Sequence, residues 1–461
     1  MTEKTFLHQL YRGLGSAIIE LKENPERSKY QDIVLRCCLK DIGYDVQSEG
    51  TKGYYLYTAI CALGVKDEFE NVIISAFNKR LEHRLFQQLT DILCSYADDG
   101  SEKARTALRT KYLCLAEQLA RQRTFPHRYC EREQFESLMI CEVNTYKWSA
   151  FKKCIVDAGH ISMMRKDDAC NCYDWFLSHC ENTFGKERVA RYFDMASKKS
   201  AEVKAFVAAI NELELIREEN SRLRVEPEVT LESYITRAKE LEKDKYAYAR
   251  MRISAMRFSR QSNHNDLENL ITIIINERSD EIKANMLCVF KYIDFSADIE
   301  LLINYAKSNC ERLQDIAIDA LKRFKDRRVH DFSLKLISSR NLDAGLPLLI
   351  NNWNKQDEPL ISGYILSSRK VSHAMQQNIR DIYTKHRSKS CGGILEHIYR
   401  NGECAFCRSG IVEAMRKSSV LQTSILNECL YDSYSEIRKL AKRIKKSQCI
   451  SIGIRDSAYC E

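Results

Sequence analysis

Proline and glycine are scarce in this chain, which has 5 Pro and 16 Gly among its 461 residues. Proline interrupts helices, and both residues shape tight turns. Their scarcity favours long helices with short connections, and it argues against a β-sandwich, whose many turns need more of both. The composition therefore predicts an all-α fold.

Long apolar runs are absent as well. No stretch approaches the roughly 18 apolar residues of a membrane-spanning helix, and the N-terminal MTEKTFLHQLYRGLG has no apolar signal core. Cysteine, by contrast, is plentiful, with 19 residues scattered through apolar helical patterns. Secreted disulfide frameworks are usually short and regularly spaced. We therefore expect a cytoplasmic protein without membrane partners, whose thiols act as small hydrophobic side chains.

Motifs of the large enzyme classes are also missing. The sequence has no glycine-rich phosphate loop, no HExxH motif and no nucleophile elbow. The net charge of +8 is mildly basic, which permits contact with nucleic acid without requiring it. We therefore predict a non-catalytic protein without a cofactor.

A repeat of about 31 residues is the most informative feature of the C-terminal half. Apolar residues recur at this spacing, and the residues four and seven positions after each are also apolar, which marks one face of a helix. A second amphipathic segment lies between successive members, so each unit is predicted to contain two helices. Such a unit buries its apolar face only by stacking on its neighbours. The six starting positions are Ile282, Leu313, Leu342, Met375, Cys407 and Ile437.

Over residues 265–446 this pattern resembles that of HEAT-repeat proteins. The stretches NERSDEIKANMLCVF, DALKRFKD and YDSYSEIRKLAKRI are similar to the second helix of a HEAT unit. The units here are shorter, and most lack the usual proline of the first helix. The resemblance implies an α-solenoid of HEAT-like two-helix repeats, whose extended concave face binds another macromolecule.

The remainder of the chain has helical patterns that are less regular. Pro126 and a charged stretch around Pro227 interrupt them, so we predict boundaries near these residues. The predicted parts are an N-terminal helical region (1–125), a Cys/His-rich middle helical region (126–225), the repeat array (226–446) and a tail without helical pattern (447–461).

The stretch NGECAFCRSG raises the question of a metal site, because Cys404 and Cys407 have the CxxC spacing of zinc ligands. The repeat explains both residues without a metal. Cys407 occupies the apolar slot of its unit, and Cys404 lies three residues earlier, where a helix N-cap is expected. The equivalent position is serine in three of the six units, namely Ser279, Ser339 and Ser372.

Zinc remains the alternative for this stretch. A structural site needs four ligands, and Cys391 and His397 are the local candidates to join Cys404 and Cys407. A second group of potential ligands matches no zinc module, so we predict buried thiols beside a surface loop there. That group comprises Cys154, His160, Cys170, Cys172, His179 and Cys180.

The basic stretch EIRKLAKRIKKSQ is the best candidate for a binding surface. On a helix its cations share one side, while its apolar residues occupy the other. The surface is either a strip that binds phosphates or the solvated outer face of a terminal repeat. The candidate residues are Arg438, Lys439, Lys442, Arg443 and Lys446.

Three functions are consistent with these patterns. The favoured one is a non-catalytic scaffold that binds a protein partner on the solenoid surface. The first alternative is nucleic-acid binding through the basic C-terminal face. The second is an enzyme that processes DNA bases, since some HEAT-like proteins are DNA glycosylases. That resemblance assigns no catalytic residue here, because two of the three tryptophans, Trp148 and Trp175, lie outside the repeats.

Overall fold

The computed structural model describes residues 1–121, 129–164, 173–222, 228–368 and 370–451. Within these ranges the regular elements are all helices, and no sheet forms. The predicted all-α class is confirmed. None of the helices there has the length and apolarity that a membrane crossing requires.

Contacts divide the chain into two compact units. The first, which we call the N-terminal unit, contains Met1–Leu223, Cys404–Phe406 and Gln422–Glu461. The second unit contains Arg224–Glu403 and Cys407–Leu421. The division after residue 223 lies close to the boundary predicted near residue 225. The residues on both sides of the boundary predicted near residue 126 belong to the N-terminal unit. The end of the predicted repeat array groups with the N-terminal helices.

Twelve of the helices in the described residues come from the N-terminal half, and α9 is broken at Lys147, where φ is 55°. The helices are α1 (Glu3–Arg12), α2 (Gly15–Glu23), α3 (Gln31–Cys38), α4 (Val46–Glu49), α5 (Gly53–Leu63), α6 (Lys66–Phe77), α7 (His83–Asp98), α8 (Glu102–Arg121), α9 (Tyr129–Met164), α10 (Asp174–Phe184), α11 (Lys186–Ala196) and α12 (Ala201–Arg222).

The C-terminal half continues with shorter helices. They are α13 (Leu231–Glu240), α14 (Ala247–Gln261), α15 (His264–Asn276), α16 (Asp280–Leu287), α17 (Ile299–Tyr305), α18 (Glu311–Leu321), α19 (Arg327–Ser338), α20 (Leu342–Asn352), α21 (Glu358–Ser367), α22 (His373–Lys385), α23 (Gly392–Asn401), α24 (Ala405–Lys417), α25 (Thr423–Cys429) and α26 (Ser435–Ser451). Short 3-10 turns occupy Arg27–Tyr30, Cys288–Lys291, Lys355–Asp357 and Lys389–Cys391.

The helices of the second unit contact one another in two series. Helices α16, α18, α20 and α22 touch in succession, and so do α17, α19, α21 and α23. Each of the six repeat positions falls in the first turn of an even-numbered helix from α16 to α26. Those residues and the ones four and seven positions later are buried, except for the half-buried Ile444. The apolar phase of the repeat therefore predicts the buried face of these helices.

The predicted caps agree with the structure in part. Ser279 and Ser372 cap α16 and α22, and their hydroxyls accept hydrogen bonds from backbone N–H groups. Ser339 does not cap α20, because that helix begins three residues later and Asn341 takes the role. Helix α24 begins at Ala405, directly after Cys404, as the repeat phase predicts.

Helices α25 and α26 belong to the N-terminal unit, where α25 contacts α2. Gly13 ends α1 with φ of 71°, and its carbonyl accepts a hydrogen bond of 2.8 Å from the Ser433 N–H. A Cβ on Gly13 would strike the Ser433 side chain. An apolar repeat slot specifies burial but not the neighbour that buries it, so the sequence pattern assigned α26 to the array. Helix α26 also continues to Ser451, past the predicted tail boundary at residue 447.

Candidate functional site: a basic cleft beside the C-terminal helix

Helix α26 is amphipathic, and its burial follows from its sequence. Ile437 and Ala441 are fully buried, and Leu440 and Ile444 are half-buried. Most of the lysines and arginines on the other side are exposed. Apolar burial therefore fixes the rotation of the helix and leaves its basic face accessible.

A cleft of about 400 Å³ lies along this basic face, within the N-terminal unit. Its walls come from α5, from the turn after α25 and from α26. We call it the basic cleft. It is lined by Tyr54, Tyr55, Thr58, Leu430, Tyr431, Asp432, Arg438, Lys442, Lys445 and Lys446.

The four cations of the basic cleft form a single stripe on α26. Arg438, Lys442, Lys445 and Lys446 follow the spacing i, i+4, i+7 and i+8, which keeps them on one helix face. The stripe extends about 12 Å along the helix axis, at about 1.5 Å per residue. The three lysines form no ion pair with any of the described residues. Their positive charge is therefore available to a ligand.

Arg438 also organises the wall of the basic cleft. Its guanidinium donates hydrogen bonds to the carbonyl oxygens of Asp432 (2.6 Å) and Ser433 (2.8 Å). It also stacks on Tyr54, 4.8 Å from the ring centroid. Burial lowers the pKa of this guanidinium, although its ordinary value is so high that it stays charged. Arg438 thus holds the turn after α25 and positions the Tyr54 ring.

The tyrosines of the cleft have different environments. The buried Tyr55 donates its hydroxyl to the carbonyl of Leu14 at 2.8 Å, so it acts in packing. Tyr431 accepts a hydrogen bond of 3.0 Å from Lys22, whose ammonium also lies 4.2 Å from the ring centroid. Tyr54 has 58% of its surface exposed. It is the aromatic side chain of the cleft that a ligand reaches most easily.

One carboxylate lies among the lining residues. The Asp432 side chain is almost completely buried, and it accepts a hydrogen bond of 2.9 Å from the Tyr434 N–H. Four cations therefore face the cleft against one carboxylate that is already engaged with the backbone. This balance suits an anionic ligand.

The structure brings together three of the five basic residues that the sequence singles out. Arg438, Lys442 and Lys446 line the cleft, whereas Lys439 and Arg443 do not. Lys439 instead pairs with Glu436 at 2.7 Å. Sequence reasoning missed Tyr54 and Thr58, because they are remote in the chain from α26. The signal that could have pointed to them is the group of three tyrosines in GYYLYTAI.

The residues proposed for zinc are engaged in different local contacts. The Cys391 thiol donates to the Ser388 carbonyl at 2.9 Å, and His397 contacts the side chain of Asn401. Among the described residues, neither Cys391 nor His397 belongs to a group of three potential metal ligands. The buried Cys407 thiol instead lies 3.5 Å from Nδ1 of His373, a residue that the sequence did not single out.

The prediction from the sequence is that no metal binds here, with zinc as the alternative, and elemental analysis of the purified chain distinguishes the two. Cys404 is also buried, and it is grouped with the N-terminal unit. Burial raises the pKa of the Cys391 thiol, so this residue favours its neutral form unless a metal or cation compensates.

The Cys/His-rich segment of the middle region is described in part. Cys154 and Cys180 are buried, and burial raises the pKa of each thiol to about 12. His179 Nε2 lies 2.7 Å from the side-chain oxygen of Asn144. Cys170 and Cys172 lie outside the described residues. The two buried thiols stay protonated at neutral pH and behave as small apolar side chains.

A second concavity, of about 670 Å³, lies on the second unit along α18 and α20. We call it the α18–α20 groove. Burial is the main cause of the raised pKa of Asp315 in this groove. The nearby carboxylates of Glu311 and Asp319 raise this pKa further. Asp319 is paired with Lys291 (3.0 Å) and Lys322 (2.5 Å). The lining residues are Lys245, Tyr248, Glu311, Arg312, Gln314, Asp315, Ile316, Ile318, Asp319, Lys322, Asn341, Asp343 and Ala344.

The sequence matches no protein-family model, and no curated protein is significantly similar to it. The functional assignment therefore depends on the physical properties of the sites described above.

Proposed function

We propose that this protein is a non-catalytic, nucleic-acid-binding protein that contacts phosphates through the basic cleft. The stripe of Arg438, Lys442, Lys445 and Lys446 carries the proposal. Lysines and arginines without intramolecular ion pairs attract the phosphate backbone, and binding releases its counterions. The stripe lies on one face of α26 and borders a concave surface, which favours a ligand over a merely solvated face.

Salt-dependent binding tests the proposal most directly. A fluorescent DNA duplex, a single strand and an RNA hairpin are titrated with the full chain from about 50 to 200 mM salt. We expect binding that weakens as the salt concentration rises. Absence of binding to all three probes at the lowest salt would refute the function.

A matched pair of double variants locates the binding surface. K442Q/K446Q removes two charges that line the basic cleft, and K439Q/R443Q removes two from the same helix outside it. We expect about a tenfold or larger loss of affinity for the first variant and less than about a threefold loss for the second. Equal losses would indicate a diffuse basic helix without a defined cleft.

We propose as a second function that the second unit is an α-solenoid of HEAT-like repeats that binds a protein partner. The succession of contacts through α16, α18, α20 and α22 supports this architecture. The α18–α20 groove offers carboxylates and cations on the accessible side of that series. Extended, mixed-charge surfaces on repeat proteins are typical sites for a protein partner.

Crosslinking in the native cell, followed by mass spectrometry, identifies such a partner. The variants D315K and K322E then alter charge within the groove, whereas D331K places the same change on the exposed side of α19. We expect the two groove variants to lose the partner and D331K to keep it. Retention by all three variants would remove the groove from the proposal.

A further inference from the structure

Tyr54 has the properties of a stacking platform. It is the most exposed of the three tyrosines in α5, since Tyr55 and Tyr57 are buried. The guanidinium of Arg438 approaches its ring, and Arg438 is itself fixed by two backbone carbonyls. The ring is therefore held in place before any ligand arrives, while more than half of the Tyr54 surface stays open to solvent. Exposed aromatic rings beside cations are what single-strand-binding proteins use to stack bases.

The cationic stripe matches several phosphates rather than one. Its length of about 12 Å corresponds to about three or four phosphates at the 3.4 Å spacing along one stacked strand. The cleft volume of about 400 Å³ is in the range of small-ligand sites, so one nucleotide fits inside while its neighbours continue along α26. A free mononucleotide would leave most of the stripe without a phosphate.

A duplex would use this site less well than a single strand. Its bases are already stacked and paired, so they present no face to Tyr54 unless one base is extruded. A single strand offers unpaired bases together with a flexible backbone. A single strand can therefore contact the Tyr54 ring and the lysines at the same time, whereas a duplex contacts the lysines alone.

We infer that the basic cleft binds single-stranded nucleic acid, with one base stacked on Tyr54 and the adjoining phosphates on Lys442, Lys445 and Lys446. This inference rests on the proposed phosphate-binding function of the same cleft, and it adds a ligand class and a stacking residue. Thr58, whose hydroxyl donates to the Tyr54 carbonyl at 3.0 Å, lies one turn further along α5 and completes that wall.

Four probes test the inference by fluorescence anisotropy or by competition. They are a 12-nucleotide oligothymidylate, a duplex of the same length, a nucleoside monophosphate and inorganic pyrophosphate. We expect the single strand to bind at least about five times more tightly than the duplex, because stacking is available to it alone. Its affinity should fall with salt at a log–log slope of about −2 to −3, as three or four phosphate contacts predict.

Variants separate stacking from charge. Y54A should weaken single-strand binding about fivefold or more while leaving the salt slope and duplex affinity unchanged. Y54F and Y54W should keep the single-strand preference, because they retain an aromatic face. K442Q/K446Q should weaken binding of both nucleic acids and flatten the salt slope by about 1.4 for the single strand. Circular dichroism and thermal unfolding check that each variant is folded.

The possible failures are distinguishable. Absence of binding to either nucleic acid would overturn the proposed function and the inference together. Equal affinity for strand and duplex, or no effect of Y54A in the folded protein, would overturn the inference and leave phosphate binding intact. Binding of the monophosphate or of pyrophosphate as tight as that of the 12-mer would also overturn the inference, because it would indicate a small-molecule site.

Discussion

Gly15 in α2 lies so close to the backbone carbonyl of Glu428 in α25 that a methyl group on Gly15 would come within 1.8 Å of that oxygen. Such a distance is far inside van der Waals contact, and a backbone oxygen cannot move aside alone. The helices approach this closely because glycine has no side chain. The contact packs α25 against α2 within the N-terminal unit.

The G15A substitution is expected to destabilise the protein by about 3 kcal/mol, at the upper end of overpacking effects. Urea unfolding measures this change, and limited proteolysis should reveal earlier cleavage around α25. The control is G363A in α21, where the added methyl meets no described atom within 4 Å beyond its own helix backbone and chain neighbours. That change should be neutral or stabilising by up to about 1 kcal/mol, because alanine favours helix more than glycine does. Wild-type stability of G15A would contradict the close approach.

His330 in α19 should make stability depend on pH. Burial opposes its charged form, but hydrogen bonds to Asp357 (2.6 Å) and Asp331 (3.1 Å) outweigh that effect and raise its pKa above the ordinary 6.5. The folded protein therefore holds the proton more tightly than the unfolded chain. This stabilisation is fully present below about pH 6.5 and is lost as the pH rises through the raised folded pKa.

The variant D357N tests this pH dependence. We expect the free energy of unfolding of the wild type to fall between pH 6 and pH 8 by up to about 1 kcal/mol more than that of D357N, since the group is only partly shielded from solvent. Urea titrations at a series of pH values measure the difference. The variant H330Q serves as the control, because it has no titrating ring at this position. Parallel profiles of all three proteins would rule out the effect.

Ile379 in α22 tests the repeat phase. It occupies the second apolar position of its unit and is fully buried. We expect I379A to lose about 2 to 5 kcal/mol of stability, as deletion of a buried isoleucine side chain usually does. The matched change I275A removes the same atoms from a side chain that is 51% exposed, and it should cost less than about 1 kcal/mol. Equal effects in chemical denaturation would show that the repeat face is not the core.

Lys52 is a buried cation with a structural role in the N-terminal unit. Its ammonium donates hydrogen bonds to the carbonyls of Tyr11 and Ile42, the latter at 2.9 Å. The variant K52M keeps the length of the side chain but removes the donor, so those carbonyls lose this partner. We expect a loss of about 2 kcal/mol, measured by thermal unfolding. The exposed Lys103 is the control, and K103M should leave the melting temperature nearly unchanged.

Local features of the fold were predictable because they depend on short-range physics. Apolar residues at each starting position of the repeat, and four and seven positions later, predict the buried face of the even-numbered helices from α16 to α26. Helix geometry places those three positions on one face. Caps were less predictable. Ser339 and Asn341 are both good cap residues, and only the position at which α20 begins decides between them.

The partners of the helices were not predictable from the pattern. Ile437 has the same apolar phase as Ile282, yet α26 packs in the N-terminal unit while α16 belongs to the second unit. The basic cleft was not predictable for the same reason, because its walls come from segments that are far apart in the chain. The contact between Lys22 and Tyr431, for example, joins residues 409 positions apart. The cations of the cleft were therefore predictable from the sequence, whereas the tyrosines beside them were recognised only from long-range packing.

The return of α25 and α26 to the N-terminal helices has a consequence during protein synthesis. Domains generally fold from the N-terminus as the chain leaves the ribosome. Here the surface of α2 around Gly15 stays exposed to solvent until α25, which packs on it, has been synthesised. The basic cleft cannot exist in a chain that stops before α26. If the basic cleft binds nucleic acid as proposed, chains terminated before α26 lack the site and are expected not to compete for that ligand.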